Sequence, residues 1–366
     1  MKYKLIEIEI TGFLYNKEMN RTVEEHMISV FTANNINTEE CKLLILSTWV
    51  EEYSPEQLKI IQESINAIKK LYDIEIVLLL GEQYRRTRQT DKEHEIVQFY
   101  NADVIYIHPF PFRFYTKIFT HKISEPSDTY LPQNQNKFLM LMGKPHRVHR
   151  VGLLYKLYKK GLLKYGLWRF KVHNENVKDE CRKLLSHIPD SEFSQFLTDC
   201  ERDLDNVKVE YKTDSSHYPG IPFERWIWDS VAFQVVPETD FSNNFPSEKT
   251  WISIINKIPF IMAAQIGHNA TLRSFGFKTF EKYLLHKDYN DVSVGDIDTR
   301  LNQIVENIEY WVQNIDKFYE EIKVDVEHNF ETFLKLVKEE EQKLQGIINK
   351  YNLDCTPEEL VVGYYA

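Results

Sequence analysis

Apolar and polar residues along this chain repeat in two rhythms, and each change of rhythm marks an element. Met1 to Ile10 alternates charged and apolar residues, the period of a half-buried strand. Leu43 to Leu46 is a short apolar run with strand character. Ser54 and Pro55 then supply an N-cap and a first-turn proline, opening a periodic helix to about Leu71. Ile74 to Leu80 is a second apolar strand, closed by Gly81. A helix is expected over Asp91 to Tyr100, and Val104 to Ile107 forms a third strand. Strands and helices alternating at this spacing imply right-handed crossovers and a mainly parallel sheet.

Residues 121–136 break the pattern with Pro126, Pro132 and several Asn and Gln, which reads as a linker. Lys137 to Met142 restarts it as an apolar strand. Gly143-Lys-Pro145 is a turn, and a basic amphipathic helix follows to about Lys160. After a charged, irregular region, Ser230 to Val236 reads as a strand. A loop from Pro237 leads to a helix opened by Glu248. Pro259 to Ala263 is the next strand, and Gly276 to Phe280 lies in a turn or short strand. From about Ile297 the chain is helical, with Ile304, Ile308 and Trp311 at helical spacing. The expected organisation is an α/β domain over 1–136, a second over 137–296, and a helical tail over 297–366 that packs on them.

Candidate chemistry concentrates at Ser247-Glu248-Lys249-Thr250. An exposed helix start offers unbonded N–H groups and a positive dipole end, which suits phosphate. A carboxylate there can accept hydrogen bonds from the two hydroxyls of a ribose, while the ammonium beside it balances a diphosphate. The same residues also read as a capped amphipathic helix, with Ser247 as N-cap, Glu248 in the first turn and Lys249 solvated.

Composition narrows the class. The 366 residues are 43% hydrophobic and 13% aromatic, enough for real cores and for two domains. No apolar run approaches the roughly 20 residues that cross a bilayer, and the start does not read as a signal peptide. Cys41, Cys181, Cys200 and Cys355 are far apart without metal-ligand spacing, which suits reduced residues in a cytoplasmic protein, the host cytoplasm if the chain is viral. A net charge of −10 argues against a protein that coats nucleic acid. Two local basic clusters remain, Arg85, Arg86 and Arg88, and Lys144 to Arg150, and each also reads as a solvated surface.

Several motifs then occur in a characteristic order: Lys144-Pro-His-Arg147-Val-His-Arg150 after a strand, Glu238, Ser247-Glu248-Lys249-Thr250, Pro259-Phe-Ile261, and Gly276-Phe-Lys-Thr-Phe280. Over roughly residues 137 to 310 this resembles the C-terminal half of the fucosyltransferase-like glycosyltransferases of GT-B type. The resemblance implies two Rossmann-like domains facing across a cleft, the first on the acceptor side and the second binding a nucleotide-sugar. It implies transfer of a sugar to a hydroxyl acceptor, inverting, with no metal and no cofactor. Glu248 and Lys249 match the pair that holds ribose and phosphates, and Arg147 or Arg150 matches an arginine on the diphosphate. Phe245-Pro-Ser-Glu-Lys249 departs from the Tyr-Val-Thr-Glu-Lys type, so the donor sugar stays open.

With no metal, the charge that develops on a departing nucleoside diphosphate falls to Arg147, Arg150, Lys249 and a helix start. Asp296-Ile-Asp298 has the spacing of a metal motif but stands before the tail, where it reads as a helix cap. The general base of an inverting transfer is expected from the first domain. Glu82, Glu93 and Glu95 are the candidates, one being required, with Asp91 and His94 behind them. His108 stands where it lines a cleft or serves structure. Arg85, Arg86 and Arg88 favour a polyanionic acceptor, either a glycan or a hydroxymethylated base of viral DNA that must be extruded to react. Trp226 and Trp228 read as core before sugar-stacking platforms, His146 and His149 as phosphate contacts or solvated residues, and Glu238 as a positioning residue. The other reading is a nucleotide- or glycan-binding module without catalysis.

Overall fold

Among the described residues, eight parallel strands form two four-stranded sheets. The computed structural model describes residues 3–7, 23–33, 37, 42–47, 55–81, 102–107, 137–142, 147–170, 175–204, 225–238, 246–291, 296–357 and 360. Contact density divides the chain into two units, Met1–Thr116 with Lys335–Ala366, and Lys117–Leu334. The boundaries at 136 and 296 follow changes in sequence pattern, whereas this division follows packing. The expected Asp91–Tyr100 helix and the 121–136 linker lie outside the described residues.

In the first unit, β1 (Tyr3–Glu7), β2 (Leu43–Ser47), β3 (Glu75–Gly81) and β4 (Asp103–Ile107) lie side by side in chain order. Every described pair is parallel, as the crossover spacing requires. Helix α1 (Val23–Ala33) leads to β2, and α2 (Pro55–Leu71) leads to β3. α2 buries Ile61, Ile65 and Ile68, one apolar stripe of a helix whose other face is charged.

The second sheet has the order β6-β5-β7-β8, again all parallel. Its strands are β5 (Phe138–Met142), β6 (Gly166–Phe170), β7 (Phe233–Pro237) and β8 (Phe260–Ala263). β5, β7 and β8 are buried along their whole length, which is why they read as unbroken apolar runs. From β5 the chain moves one way through α3 (Val148–Lys159) to β6, and it later resumes on the other side of β5 at β7. α4 (Glu175–Leu184), α5 (Asp190–Leu204) and α6 (Arg225–Asp229) intervene. α7 (Glu248–Ile255) then connects β7 to β8, followed by α8 (His268–Ser274), α9 (Ile297–Asn314) and α10 (Tyr319–Tyr351).

Reversing the direction of right-handed crossovers puts their helices on opposite faces of a sheet. Adjacent residues of β7 confirm it, since successive strand side chains point to opposite faces. Phe233 meets the Trp311 ring of α9 edge-on at 5.0 Å, and α9 packs on α3. Gln234, pointing the other way, accepts a 2.5 Å hydrogen bond from Ser253 of α7. Trp311 is fully buried, as are Ile304 and Ile308, and its indole N–H donates to the Tyr283 carbonyl at 2.9 Å. Trp228 is core. Asp296 caps α9 by accepting from the Thr299 N–H at 2.9 Å, and Asp298 pairs with Lys156 at 2.8 Å, so Asp296-Ile-Asp298 is a cap.

The architecture is therefore mixed α/β with two parallel sheets and a long C-terminal helix. That helix supplies residues 319–334 to the second unit and 335–351 to the first. Its end is tied within the first unit, where Lys350 and the Tyr351 hydroxyl both donate to Asp103 at the start of β4.

The region read as irregular contains β6, α4 and α5. Among the described strands β6 lies at a sheet edge, where Arg169 stays half-exposed, so its apolar run is broken. Gly166 pairs with Phe138, and a Cβ there would sit 2.3 Å from the buried Phe138 ring, which Phe233 packs at 5.9 Å. Gly166→Ala is expected to destabilise the second unit by about 1–3 kcal/mol through overpacking, read as a lowered melting temperature. An unchanged midpoint would mean that the ring has room to move.

Candidate functional site

The reversal of winding falls between β5 and β7, and in open α/β sheets ligands bind outside the carboxyl ends of the strands at such a point. The segments leaving these two strands carry the residues singled out in the sequence.

After β5, Arg147 is the N-cap of α3, half-buried, with extended backbone and no side-chain cap bond. His149 and Arg150 follow in the first turn, which holds no acidic residue. A helix start favours negative charge, so this concentration of basic residues leaves the end electropositive. After β7, Ser247 caps α7, its Oγ accepting from the Lys249 N–H and from Lys249 Nζ, both at 3.3 Å. Glu248 is the first residue of α7, and its side chain lies outside the described residues.

Glu238, directly beyond β7 and 1% exposed, joins the two starts. Its carbonyl accepts from Arg150 Nε at 3.2 Å and from an Arg150 terminal nitrogen at 2.9 Å, and lies 2.8 Å from His149 Nε2. The same Arg150 nitrogen donates to the Pro237 carbonyl at 3.1 Å. The Glu238 carboxylate faces the other helix, where Oε1 accepts from the Ser247 N–H at 3.0 Å and the Thr250 hydroxyl at 2.5 Å. Hydrogen bonds to a charged group contribute about 1.5–3 kcal/mol each, so this is a strong joint.

Of the sequence-predicted residues, Arg147, Arg150, Glu238, Ser247, Lys249 and Thr250 thus come together at one end of one sheet. Their roles divide. Arg150 is 2% exposed and its guanidinium holds main-chain carbonyls, so it positions the site, and of the two arginines left open by the sequence Arg147 is the one presented at a helix entrance. Glu82, Arg85, Arg86, Arg88, Asp91, Glu93, His94, Glu95, His108 and His146 lie outside the described residues.

Sequence reasoning missed the end of β8. There Gly267 takes a left-handed φ of 82°, which a side chain would strain, and donates to the Asn290 carbonyl at 2.9 Å. The Asn269 N–H donates to Asn290 Oδ1 at 3.0 Å, and Asn290 Nδ2 to the Gln265 carbonyl at 2.9 Å. Tyr289 Oη accepts from the Met262 N–H at 3.0 Å and from Asn269 Nδ2 at 3.3 Å. Against this paired background His268 is fully buried with neither ring nitrogen hydrogen-bonded, and Asn269 Oδ1 is unpaired as well. Each such buried group costs about 1–3 kcal/mol. Burial holds the His268 pKa below its ordinary value, and the charge of Glu238 opposes that shift. The signal was a Gly-His pair leaving an apolar strand.

Among the described residues, no group of three or more His, Cys, Asp or Glu is placed to hold a metal, and no helix is long and apolar enough to cross a membrane. Comparison with protein-family models, curated proteins and solved structures returns no match.

His268 stays neutral when folded but takes up a proton in the unfolded chain below its ordinary value near 6.5. The unfolded state then binds more protons, so stability should fall as pH drops below about 6.5, by up to about 1.4 kcal/mol per unit for this one group. Urea unfolding from pH 8 to 5 is expected to give a shallower loss for His268→Leu. Superimposable profiles would contradict a neutral, enclosed imidazole.

Proposed function

We propose that the second unit binds the diphosphate of a nucleotide-sugar at the β5/β7 switch point, and that the protein transfers the sugar to a hydroxyl acceptor. The observation that carries this reading is the joining of two helix entrances by Glu238, with Arg147 at one and Lys249 at the other. Phosphate oxygens bind well where N–H groups, a helix dipole and fixed cations coincide.

In this reading Arg147 and Lys249 bind the diphosphate and stabilise the charge that grows on it as the glycosidic bond breaks. Groups fixed beforehand do this without reorganisation, and the Arg150–Glu238–Thr250 network does the fixing. Glu248, opening α7, takes the ribose hydroxyls. The general base, one of Glu82, Glu93 or Glu95, comes from the first unit, with Arg85, Arg86, Arg88 and His108 on the acceptor. The acceptor is a glycan or a hydroxymethylated base of DNA. A GT-B arrangement, an inverting outcome and independence of metal belong to the same proposal, as does a cytoplasmic location.

A thermal-shift series with UDP, GDP, CDP and ADP, and with their sugar conjugates, identifies the donor, because a ligand that binds only the folded state raises its melting temperature. Arg147→Ala and Lys249→Ala are each expected to weaken binding of the best nucleotide about 10–100-fold, the equivalent of one charged hydrogen bond. The melting temperature without ligand should stay unchanged. Undiminished affinity in both variants would remove the site. Binding without transfer to any acceptor would leave a nucleotide-binding module.

A further inference from the structure

His268 opens α8, five residues beyond the carboxyl end of β8, the strand next to β7, and the charge of Glu238 acts on its ring. The proposed diphosphate position lies between β5 and β7, and the chain leaving β8 lies one strand further along the same end of the sheet. Around His268 the polar groups of Tyr289, Asn290 and Gln265 are engaged with one another or with the main chain. The two ring nitrogens of His268 and Asn269 Oδ1 are not.

We infer that His268 is a donor-binding residue that hydrogen-bonds a ring hydroxyl of the nucleotide-sugar, an inference that rests on the donor-site reading above. A neutral imidazole has one N–H donor and one lone-pair acceptor. A hydroxyl likewise donates and accepts, so a single hydroxyl, or two neighbours on one ring, completes both nitrogens. Phosphate offers acceptors alone and favours cations such as Arg147 and Lys249. Burial keeps the imidazole neutral and excludes competing water, which strengthens the bonds once made. Asn269 Oδ1 adds an acceptor for a second hydroxyl. Because His268 is fully buried, binding a ring requires local rearrangement around it, so association falls below the diffusion-limited range.

The ring is either the ribose or the transferred sugar, and calorimetric titration of full-length protein separates them. UDP, GDP, their 2′-deoxy forms, UDP-glucose and GDP-mannose serve as probes against wild type and His268→Leu. The leucine removes two unpaired polar atoms, so the unliganded protein should melt at the same or a higher temperature, while affinity falls about 10–100-fold. If the ribose is the partner, the loss appears with UDP or GDP and vanishes with the deoxy forms. If the transferred sugar is the partner, the loss appears with the conjugates alone. Equal affinity of both proteins for every probe overturns the inference and leaves the donor site standing. No binding by wild type removes that site and this inference together. Should His268→Leu not fold, ring-¹⁵N signals of wild-type His268 must move when the tightest-binding probe is added, and unmoved signals overturn the inference.

Discussion

A single buried residue, Glu238, sets the geometry on which the candidate site depends. It uses both of its polar ends. The carbonyl holds the start of α3 through His149 and Arg150, and the carboxylate holds the start of α7 through Ser247 and Thr250. Helix starts leave N–H groups without intrahelical partners, and a carboxylate beside them is favoured by the dipole as well as by hydrogen bonding. One residue therefore fixes two helix starts at the same end of the sheet. Taking that carboxylate out of water is unfavourable, and the Ser247 N–H and Thr250 hydroxyl offset that cost by donating to Oε1.

The rest of the second unit keeps this joint in register. The reversed winding between β5 and β7 places α3 and α7 on opposite faces, so their starts meet at the carboxyl end of these strands. Phe138, Phe233, Phe280 and Trp311 fill the α9 face with rings 5.0 to 6.2 Å apart. Trp251, Phe277 and Phe333 pack together at 5.6 and 6.2 Å around α7. Such packing tolerates little displacement, which gives a polar site a rigid frame. His268 contrasts with it. Its unpaired nitrogens lower stability, as expected where a chain keeps polar groups for a ligand.

Legibility of the fold followed burial. β2, β3, β4, β5, β7 and β8 were visible as apolar runs, and for β5, β7 and β8 the reason is burial along the whole strand, since parallel strands covered on both faces need apolar residues throughout. Pro55 marked what is the first described residue of α2. β6 was hidden, since Gly-Leu-Trp-Arg-Phe170 at an edge carries a charge, and α4 and α5 were hidden by their acidic and basic faces. At the site, the Ser247 cap and the basic start of α3 are local in sequence and were readable. The engagement of Arg150 with the Pro237 and Glu238 carbonyls was not, because it arises only when residues 87 or 88 positions apart approach. The same holds for His268, whose isolation is a property of what surrounds it.

In the proposed site one joint presents Arg147 and Lys249 to a diphosphate while Arg150 stays bound to the main chain. A crystal structure of the protein with the nucleoside diphosphate that binds it best tests this directly. Phosphate oxygens are expected about 3 Å from the Arg147 guanidinium and the Lys249 ammonium, beyond β5 and β7, with the Arg150 contacts intact. A diphosphate bound elsewhere, or an Arg150 that has left the Glu238 carbonyl to hold it, would contradict this site.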